Sequence, residues 1–419
     1  MRTLALIFLI TSAVFAQDVR PKDVRDTAKG GTTAIPKLQE YLKNPSLDVR
    51  LEAVKQLTEI GTQYSIDPLV QATRDNDAEV QIRATDALVN FYLPGYARTG
   101  FGASVSRVGT SIKGRFTDTN DQVIDPYVTV RPDVISALGA LARGGGSMEA
   151  RANAARAIGI LRGRAAVPDL IEAAHSKNSA VMYECIIAIQ KIRDESAGPR
   201  LIFLLNDLDQ KVQLAAVETM GLLRTQDALP DLNRVLNRTR DAKVKRAALT
   251  SIAMLPSENS RVLYQQYLTD KDDRMRAAAA EGFARLRKPS DLPMLEKAWK
   301  DETKIQPRLS LAFAQVMLGK TEMSEFSPLQ FLINQLNSAS YKGEAQPLLI
   351  ELARDPAVRA ALYRPMAGGT KDEKIGLAGV LARSGDKASI PELEKLSKDS
   401  DPEVGKEALR ALRTLQARY

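Results

Sequence analysis

The sequence predicts an all-α protein, a right-handed α-solenoid of about ten to eleven two-helix repeats with one irregular, β-like insertion. Three observations support this prediction. An apolar anchor residue recurs about every 31 residues, a helix-capping residue precedes most anchors, and a proline follows several of them. Periods of this length are typical of helical arrays, in which each unit buries its apolar face against its neighbours.

Each anchor is the first residue of the apolar face of a predicted helix. The anchors are Val49, Val80, Ala150, Val181, Val212, Val244, Met275, Ile305, Ile375 and Val404. Nine of the ten residues three places earlier are Ser, Asn or Asp, which accept hydrogen bonds from the free amides of a first helical turn. These ten residues are Ser46, Asp77, Ser147, Asn178, Asp209, Asp241, Asp272, Glu302, Asp372 and Asp401. Apolar or small residues four and eight positions after the anchors complete one helix face.

A second helix of each unit begins at a recurring proline. These prolines are Pro36, Pro68, Pro168, Pro199, Pro230, Pro293 and Pro391. Proline is favoured in the first helical turn, where its missing amide proton leaves no hydrogen bond unmade. Each unit is therefore predicted as a helix, a tight turn and a second helix.

The 31-residue unit resembles a known family. Asp77 to Leu88 reads DAEVQIRATDAL and Asp272 to Phe283 reads DDRMRAAAAEGF, and Pro-led helices follow such stretches. This pattern resembles HEAT repeats, and is closest to the short bacterial kind called phycobilisome-lyase-like. The resemblance covers about residues 33–92 and 132–416. It implies a solenoid, but a fold does not by itself determine an activity.

The first sixteen residues predict a signal peptide. Arg2 gives a positive start, an apolar stretch follows, and small residues precede Gln17, so we expect cleavage after Ala16 and export to the periplasm or the medium. The stretch is too short to span a bilayer as a helix. No later segment is long and apolar enough either, so no transmembrane segment is expected in the mature chain.

The mature chain divides into three predicted parts. Residues 17–92 hold the N-terminal repeats and begin with a capping helix over residues 19–30. Residues 132–419 hold the remaining repeats and end with a capping helix from Pro402. The long spacing between the anchors Ile305 and Ile375 is a degenerate repeat with helices near 327–338, 342–353 and 356–364 and a longer loop at 319–326.

The insertion at residues 93–131 breaks the period. Alternating residues at 104–108 and 127–130 predict strands, as in a β-hairpin. Insertions in solenoids often lie at a binding face. The aromatic residues Tyr96, Phe101 and Phe116 in this insertion are therefore candidate partner contacts.

The composition contains few of the residues that form disulfides, metal sites or catalytic sites. The chain has one Cys and one His, which excludes a disulfide framework, a Cys- or His-rich metal site and the several His-Glu pairs of HEAT-type hydroxylases. Cys185 occupies a small-residue position and predicts a buried thiol, His175 ends a helix, and Trp299 matches Leu in other repeats. We predict no catalytic residue, no metal site and no cofactor.

The charge of +8 is spread along the chain, with Lys and Arg interleaved with Asp and Glu. That pattern is typical of solvated helix faces and disfavours nucleic acid as a partner. The anchor-bearing helices are expected to line the concave side of the solenoid. Their polar residues that point away from the apolar face are candidate partner contacts: Glu52, Lys55, Glu59, Arg83, Asp86, Asn90, Asn153, Arg156, Glu184, Glu218, Glu281 and Arg285.

These observations predict an exported, non-catalytic scaffold that binds a protein or a peptide. Two alternatives remain open at this stage. One is an enzyme or enzyme subunit related to the phycobilisome-lyase-like proteins, with its site in the insertion. The other is a carrier of a ligand or polyanion, which salt-dependent binding would reveal.

Overall fold

The computed structural model describes residues 19–96 and 122–419, and all its regular structure is helical within those ranges. The chain divides into two compact units at Gly109 and Thr110, inside the predicted insertion. We call residues 19–96 unit 1 and residues 122–419 unit 2. No helix in either range combines the length and apolar character that crossing a bilayer requires.

Unit 1 contains short helix pairs. Its helices are α1 (Pro21–Ala28), α2 (Ile35–Tyr41), α3 (Leu47–Ile60), α4 (Ile66–Ala72) and α5 (Ala78–Tyr92). The anchors Val49 and Val80 are fully buried, and α3 packs between α1 and α5. Helix α1 lies within residues 19–30, where a capping helix is predicted, and its capping role stays a prediction.

Unit 2 continues the same alternation of longer anchor-bearing helices and shorter second helices. Its first half comprises α6 (Pro132–Gly144), α7 (Met148–Ile160), α8 (Val167–Ala173), α9 (Ser179–Ile192), α10 (Gln210–Leu222), α11 (Leu229–Arg238), α12 (Ala242–Ala253) and α13 (Arg261–Tyr267). Its second half comprises α14 (Asp273–Leu286), α15 (Leu292–Asp301), α16 (Ile305–Met317), α17 (Pro328–Asn334), α18 (Lys342–Leu352), α19 (Pro356–Gly368), α20 (Lys371–Ser384), α21 (Ile390–Leu396) and α22 (Pro402–Gln416). The degenerate repeat is confirmed as α17 to α19.

The anchor-bearing helices of unit 2 stack in chain order. With α18 of the degenerate repeat included, although it carries no anchor, each helix packs against the next in the series α7, α9, α10, α12, α14, α16, α18, α20 and α22. The anchors of α7, α9, α10 and α12 are completely buried. Such nearest-neighbour stacking buries the apolar faces that single helix pairs leave open, and it confirms the repeat architecture predicted from the period.

Most of the predicted helix caps form. Seven side chains accept hydrogen bonds from first-turn amides, namely Asp77, Ser147, Asn178, Asp209, Asp241, Asp272 and Asp401. Ser46 precedes its helix without capping it. Helix α20 begins earlier than Asp372 predicts, because Thr370 and Glu373 form a capping box there. Glu302 accepts from the amide of Lys304, the residue that precedes α16, at 2.9 Å.

The predicted Pro-led helices also form, with one change. Six of the prolines lie in the first turn of α2, α4, α8, α11, α15 and α21. Pro199 instead lies inside a 3-10 helix, Glu195–Asn206, which takes the place of a second helix in its repeat.

The described part of the insertion is irregular. Residues 122–131 contain no strand, so the strand predicted at 127–130 is wrong. The amide of Val128 donates to the carbonyl of Asp125 in a turn, and the amide of buried Ile124 donates to the carbonyl of Ile160 at 2.9 Å. These local bonds satisfy the backbone and tie the segment to the end of α7. The strand predicted at 104–108 lies outside the described residues.

Candidate ligand-binding cavity

Unit 2 encloses a cavity of about 1500 Å³. Its wall is formed by the C-terminal ends of α9, α10, α12 and α14, by α18, α20 and α22, and by residues 123–126. The wall therefore consists mainly of anchor-bearing helices. None of the described residues that line the cavity is aromatic.

Four arginines in the wall have left-handed backbone conformations. They follow the ends of α7, α9, α10 and α14, and their φ angles are 49° for Arg162, 61° for Arg193, 52° for Arg224 and 53° for Arg287. Within the described residues, these are the only non-glycine residues with positive φ. A left-handed residue ends a helix, and glycine is the usual choice because an L side chain there costs about 1–2 kcal/mol.

Unit 1 uses glycine at the equivalent position, since Gly61 follows α3 with φ of 57°. In unit 2 the chain therefore carries arginine where glycine would relieve strain. Strain that persists is a reason to look for a function of the side chain. All four of these arginines line the cavity.

The cavity wall is strongly basic. It contains ten Lys or Arg residues and four Asp or Glu residues, a net charge of +6. Some of the cations are neutralised within the protein: Arg285 pairs with Glu281 and Glu351 at 3.0 and 2.7 Å. Lys342 lies 3.7 Å from Asp372.

Six other cavity arginines form no ion pair with any described carboxylate. They are Arg162, Arg193, Arg224, Arg287, Arg354 and Arg383, and all six are exposed to solvent. An array of accessible guanidinium groups is suited to binding anions, because each group offers several hydrogen-bond donors to a carboxylate or phosphate.

Three of these arginines repel one another. Burial by the cavity wall and the charge of Arg383 lower the pKa of Arg162, and the nearby carboxylate of Asp125 opposes that effect. Burial also lowers the pKa of Arg193, and the charges of Arg383 and Arg162 add to it. The guanidiniums nevertheless remain charged at any physiological pH. An anion placed among them would relieve this repulsion.

One ion pair in the cavity wall joins distant parts of unit 2. The Nε and Nη2 atoms of Arg410 on α22 donate to Asp125 Oδ1 at 3.1 and 2.7 Å. The Tyr127 hydroxyl donates to Asp125 Oδ2 at 2.8 Å. Burial tends to raise the pKa of Asp125, but the hydrogen bonds from Arg410 and Tyr127 outweigh it and lower that pKa.

The partner contacts predicted in unit 2 divide into two groups. Asn153, Arg156 and Glu184 are buried, and Arg156 Nη2 lies 3.0 Å from Glu184 Oε1 with each side chain 5% exposed. The Arg156–Glu184 pair joins α7 to α9, and no finding shows Asn153, Arg156 or Glu184 meeting a partner, so their role as partner contacts stays a prediction. The other group, Glu218, Glu281 and Arg285, retains some exposure.

The remaining predicted contacts lie in unit 1 or the insertion. Arg25 Nη1 donates to Glu52 at 3.2 Å, Lys55 lies 3.9 Å from Glu52 and 4.0 Å from Glu59, and Arg83 pairs with Glu79 at 2.8 Å. Partly exposed residues complete this group: Asp86, Asn90 and Tyr96. Phe101 and Phe116 lie outside the described residues. No structural finding shows these positions meeting a partner, so they stay predictions.

The chemically distinctive single residues differ in burial. Burial raises the pKa of the Cys185 thiol to about 12, with Glu184 adding to the effect, and Cys185 is fully buried. His175 is exposed and stacks on Phe203 with ring centroids 4.4 Å apart. The guanidinium of Arg308 contacts the rings of both Trp299 and Phe331, at 5.3 and 5.2 Å from their centroids.

Sequence reasoning missed the cavity arginines. The signal is present in the repeat register, because Arg162, Arg193 and Arg224 are 31 residues apart and Arg287 stands 63 residues after the last of them. Each is twelve positions after its anchor, where a glycine is expected to end the helix. A search for continuous basic runs cannot find a charge that recurs once per repeat.

Comparison with known proteins identifies the repeat. The model of the HEAT repeats family matches residues 27–97, 135–207, 198–263 and 235–314. No curated protein sequence matches the chain.

Solved structures of several helical repeat proteins are similar in fold. An X-ray structure of the E. coli protein YibA has 15% sequence identity and a TM-score of 0.41, covering 70% of this chain and 94% of that one. The complex of CpcE and CpcF of phycocyanin lyase from Nostoc sp. has 16% identity and a TM-score of 0.31, covering 76% and 95%. A structure of importin beta has 15% identity and a TM-score of 0.39, covering 96% and 60%.

Proposed function

Because the chain belongs to the HEAT-repeat family, we propose that it is a non-catalytic scaffold that binds a protein or peptide in the cavity of unit 2. The single observation that carries this proposal is the cavity itself, whose wall of repeat helices presents six arginines that form no ion pair with a carboxylate in the described ranges. At about 1500 Å³ it exceeds the ~300–1,000 Å³ of small-molecule pockets. A segment of polypeptide is a better match for that size.

The positions of the two reactive side chains, Cys185 and His175, support a binding function. Cys185 is a buried thiol whose pKa of about 12 disfavours the thiolate at neutral pH. His175 is stacked on Phe203, and neither residue lines the cavity. The groups that do reach the cavity are mainly guanidiniums, which bind and orient anions.

The proposed site of action is outside the cytoplasm. Residues 1–16 combine a positive start, an apolar stretch and small residues before the predicted cleavage point. Fractionation of cells that produce the full chain, together with N-terminal sequencing of the mature protein, tests this part. A mature chain that begins at Gln17 in the periplasm or medium supports export, and an uncleaved cytoplasmic chain contradicts it.

Photo-crosslinking tests the binding function. A photoreactive amino acid would replace Met254 or Ile350, which line the cavity, in the full-length protein in its own cells. Matched controls would carry it at Leu208 or Val262, two exposed apolar residues outside the cavity wall. We expect the cavity positions to give the same saturable crosslinked polypeptide and the control positions to give none. Crosslinks at the control positions alone, or no saturable crosslink, would contradict the proposal.

A polyanion carrier is the second candidate, and the net charge of +6 favours it. It predicts that heparin or polyphosphate binds the cavity tightly, with affinity that falls steeply as salt increases. Crosslinking of a polyanion instead of a polypeptide at Met254 would identify this case.

A further inference from the structure

We propose that Arg162, Arg193 and Arg224 bind the carboxylates of an acidic peptide that lies extended in the cavity with an acidic residue at every third position. This inference rests on the proposed function and specifies the partner segment. It starts from the placement of one left-handed arginine at the end of each of three consecutive anchor-bearing helices.

The spacing of the arginines matches a particular peptide conformation. Packed helices lie ~8–10 Å apart, so one arginine per repeat gives guanidiniums at about that interval. A polyproline II segment rises ~3.1 Å per residue with three residues per turn, so every third side chain lies on one face about 9 Å further along. An acidic residue at each such position would meet Arg162, Arg193 and Arg224 in turn.

The repeat stack enforces this periodicity. Helices α7, α9 and α10 pack consecutively, and each ends at its arginine on the cavity wall. The next anchor-bearing helix, α12, is followed by Pro256 at the equivalent position, so the row of three is interrupted before Arg287. A ligand that contacts all three arginines of this row therefore needs three acidic residues with the same spacing as the arginines.

Another arginine of the cavity wall adds positive charge near the Arg162 end of the row. Arg383 on α20 is close enough to Arg162 and Arg193 to act on both electrostatically. Its guanidinium also has no ion pair with a described carboxylate. The acidic side chain nearest to Arg162 would thus be held from two sides.

The lining favours a peptide over a nucleic acid. Proteins that bind single-stranded nucleic acid combine a basic groove with aromatic stacking platforms, and the described lining residues include no aromatic ring. Carboxylates also line the cavity, among them Glu195 and Glu351, and they would repel an unbroken polyanion. A peptide with spaced charges needs no aromatic stacking platform, and its neutral residues can lie next to these carboxylates.

The chain's own insertion is a poor match for this cavity. Residues 97–121 join the chain just before the wall residues Val123 and Ile124 and contain four Lys or Arg and two Asp. That segment has the same sign of charge as the wall. Charge complementarity therefore points to a separate acidic segment.

The test compares two fluorescent peptides of about ten residues with identical composition. One has three Glu at every third position among Ala, Ser and Pro, and its isomer has the three Glu adjacent. Fluorescence polarisation with the full chain should show binding of the spaced peptide about tenfold or more tighter than the isomer, because adjacent charges reach one arginine at a time.

The variants R162G, R193G and R224G provide the matched perturbation. Glycine removes the guanidinium and suits the left-handed backbone, so the repeats remain folded. Each single variant should weaken binding of the spaced peptide about tenfold, and the triple variant should abolish its advantage over the isomer. The exposed residue Arg240 lies in a loop outside the cavity wall, and R240G should leave binding unchanged.

The outcomes separate the two proposals. Equal affinity for the two peptides would overturn the spacing inference. An affinity for single-stranded DNA or heparin equal to that for the spaced peptide would overturn it as well. Failure of the spaced peptide to bind while Met254 still crosslinks to a polypeptide would also overturn it but leave the proposed function standing. Absence of both peptide binding and cavity crosslinks would remove the proposed function as well.

Discussion

Asp125 and Arg410 are 285 residues apart in the chain, and they form a two-donor ion pair at 3.1 and 2.7 Å in the cavity wall of unit 2. Asp125 precedes the first described helix of the unit, and Arg410 lies on its last helix, α22. The pair thus joins the two ends of a stack in which successive helices pack on one another. We expect it to restrain the distance between those two ends.

Replacing Arg410 with alanine should loosen the contact between α22 and residues 122–126 with little loss of stability. The Asp125 and Arg410 side chains are 28% and 56% exposed, and exposed ion pairs contribute about 0.2–1 kcal/mol. Hydrogen exchange should accelerate at the amide of Ile124 and in the last turns of α22. Arg413→Ala on the same helix is the control, because Arg413 is exposed and lies outside the cavity wall. Unchanged exchange in the Arg410 variant would show that the pair does not restrain these two segments.

The same pair should make this part of the cavity wall sensitive to acid. The folded-state pKa of Asp125 lies below its unfolded value, so its contribution is complete above about pH 4 and is lost as the pH falls through the folded pKa. The protection factor of the Ile124 amide, which corrects for the intrinsic pH dependence of exchange, should therefore fall below that pH in the native protein. Asp125→Asn should show the lower protection factor throughout and lose this dependence. An acid-induced loss of protection that persists in Asp125→Asn would assign it to another group.

Removing one partner of the buried Arg156–Glu184 pair should be strongly destabilising. Either Arg156→Ala or Glu184→Ala leaves an uncompensated charge between α7 and α9, at a cost of about 3–5 kcal/mol. The double variant Arg156→Met, Glu184→Leu should recover most of that loss, since apolar side chains of similar size need no charged partner. Urea unfolding measures each change. Single variants that lose less than about 1 kcal/mol would mean that water reaches the pair.

Close approach of two helices gives a test of the repeat packing. A Cβ atom on Gly159 of α7 would lie 2.7 Å from the Cα of Ala188 on α9. Gly159→Ala should therefore force the helices apart and cost about 1–3 kcal/mol. Gly144→Ala is the control, since no atom lies within 4 Å of the Cβ it would add. Equal unfolding free energies for the two variants would contradict the packing of α7 on α9.

The features that sequence predicts well are local ones. Asp209 caps α10, and Pro230 lies in the first turn of α11, because capping and proline effects depend on a few neighbouring residues. The cavity depends on how nine successive helices stack, and no local pattern reveals that Asp125 meets Arg410. The burial of Arg156 and Glu184 was missed for a related reason: helical periodicity shows which face a residue occupies but not what covers it.

The left-handed arginines were not predicted from the sequence for a different reason. Residue type usually indicates a left-handed backbone through glycine, and arginine gives no such signal. Their register could have been found by comparing repeats, because Arg162 and Arg193 occupy the position that Gly61 holds in unit 1. Net charge could not reveal them, since the paired cations elsewhere in the chain dilute their contribution.

Arg193→Gly and Arg193→Ala should separate strain from charge. Both variants remove the guanidinium, but alanine keeps a side chain at a φ of 61°, whereas glycine adopts that conformation freely. We expect Arg193→Gly to be more stable than Arg193→Ala by about 1 kcal/mol and at least as stable as the native protein. Thermal and urea unfolding measure both differences. A glycine variant less stable than the alanine variant would show that Arg193 is not strained, and would remove the argument that the chain retains arginine there for its side chain.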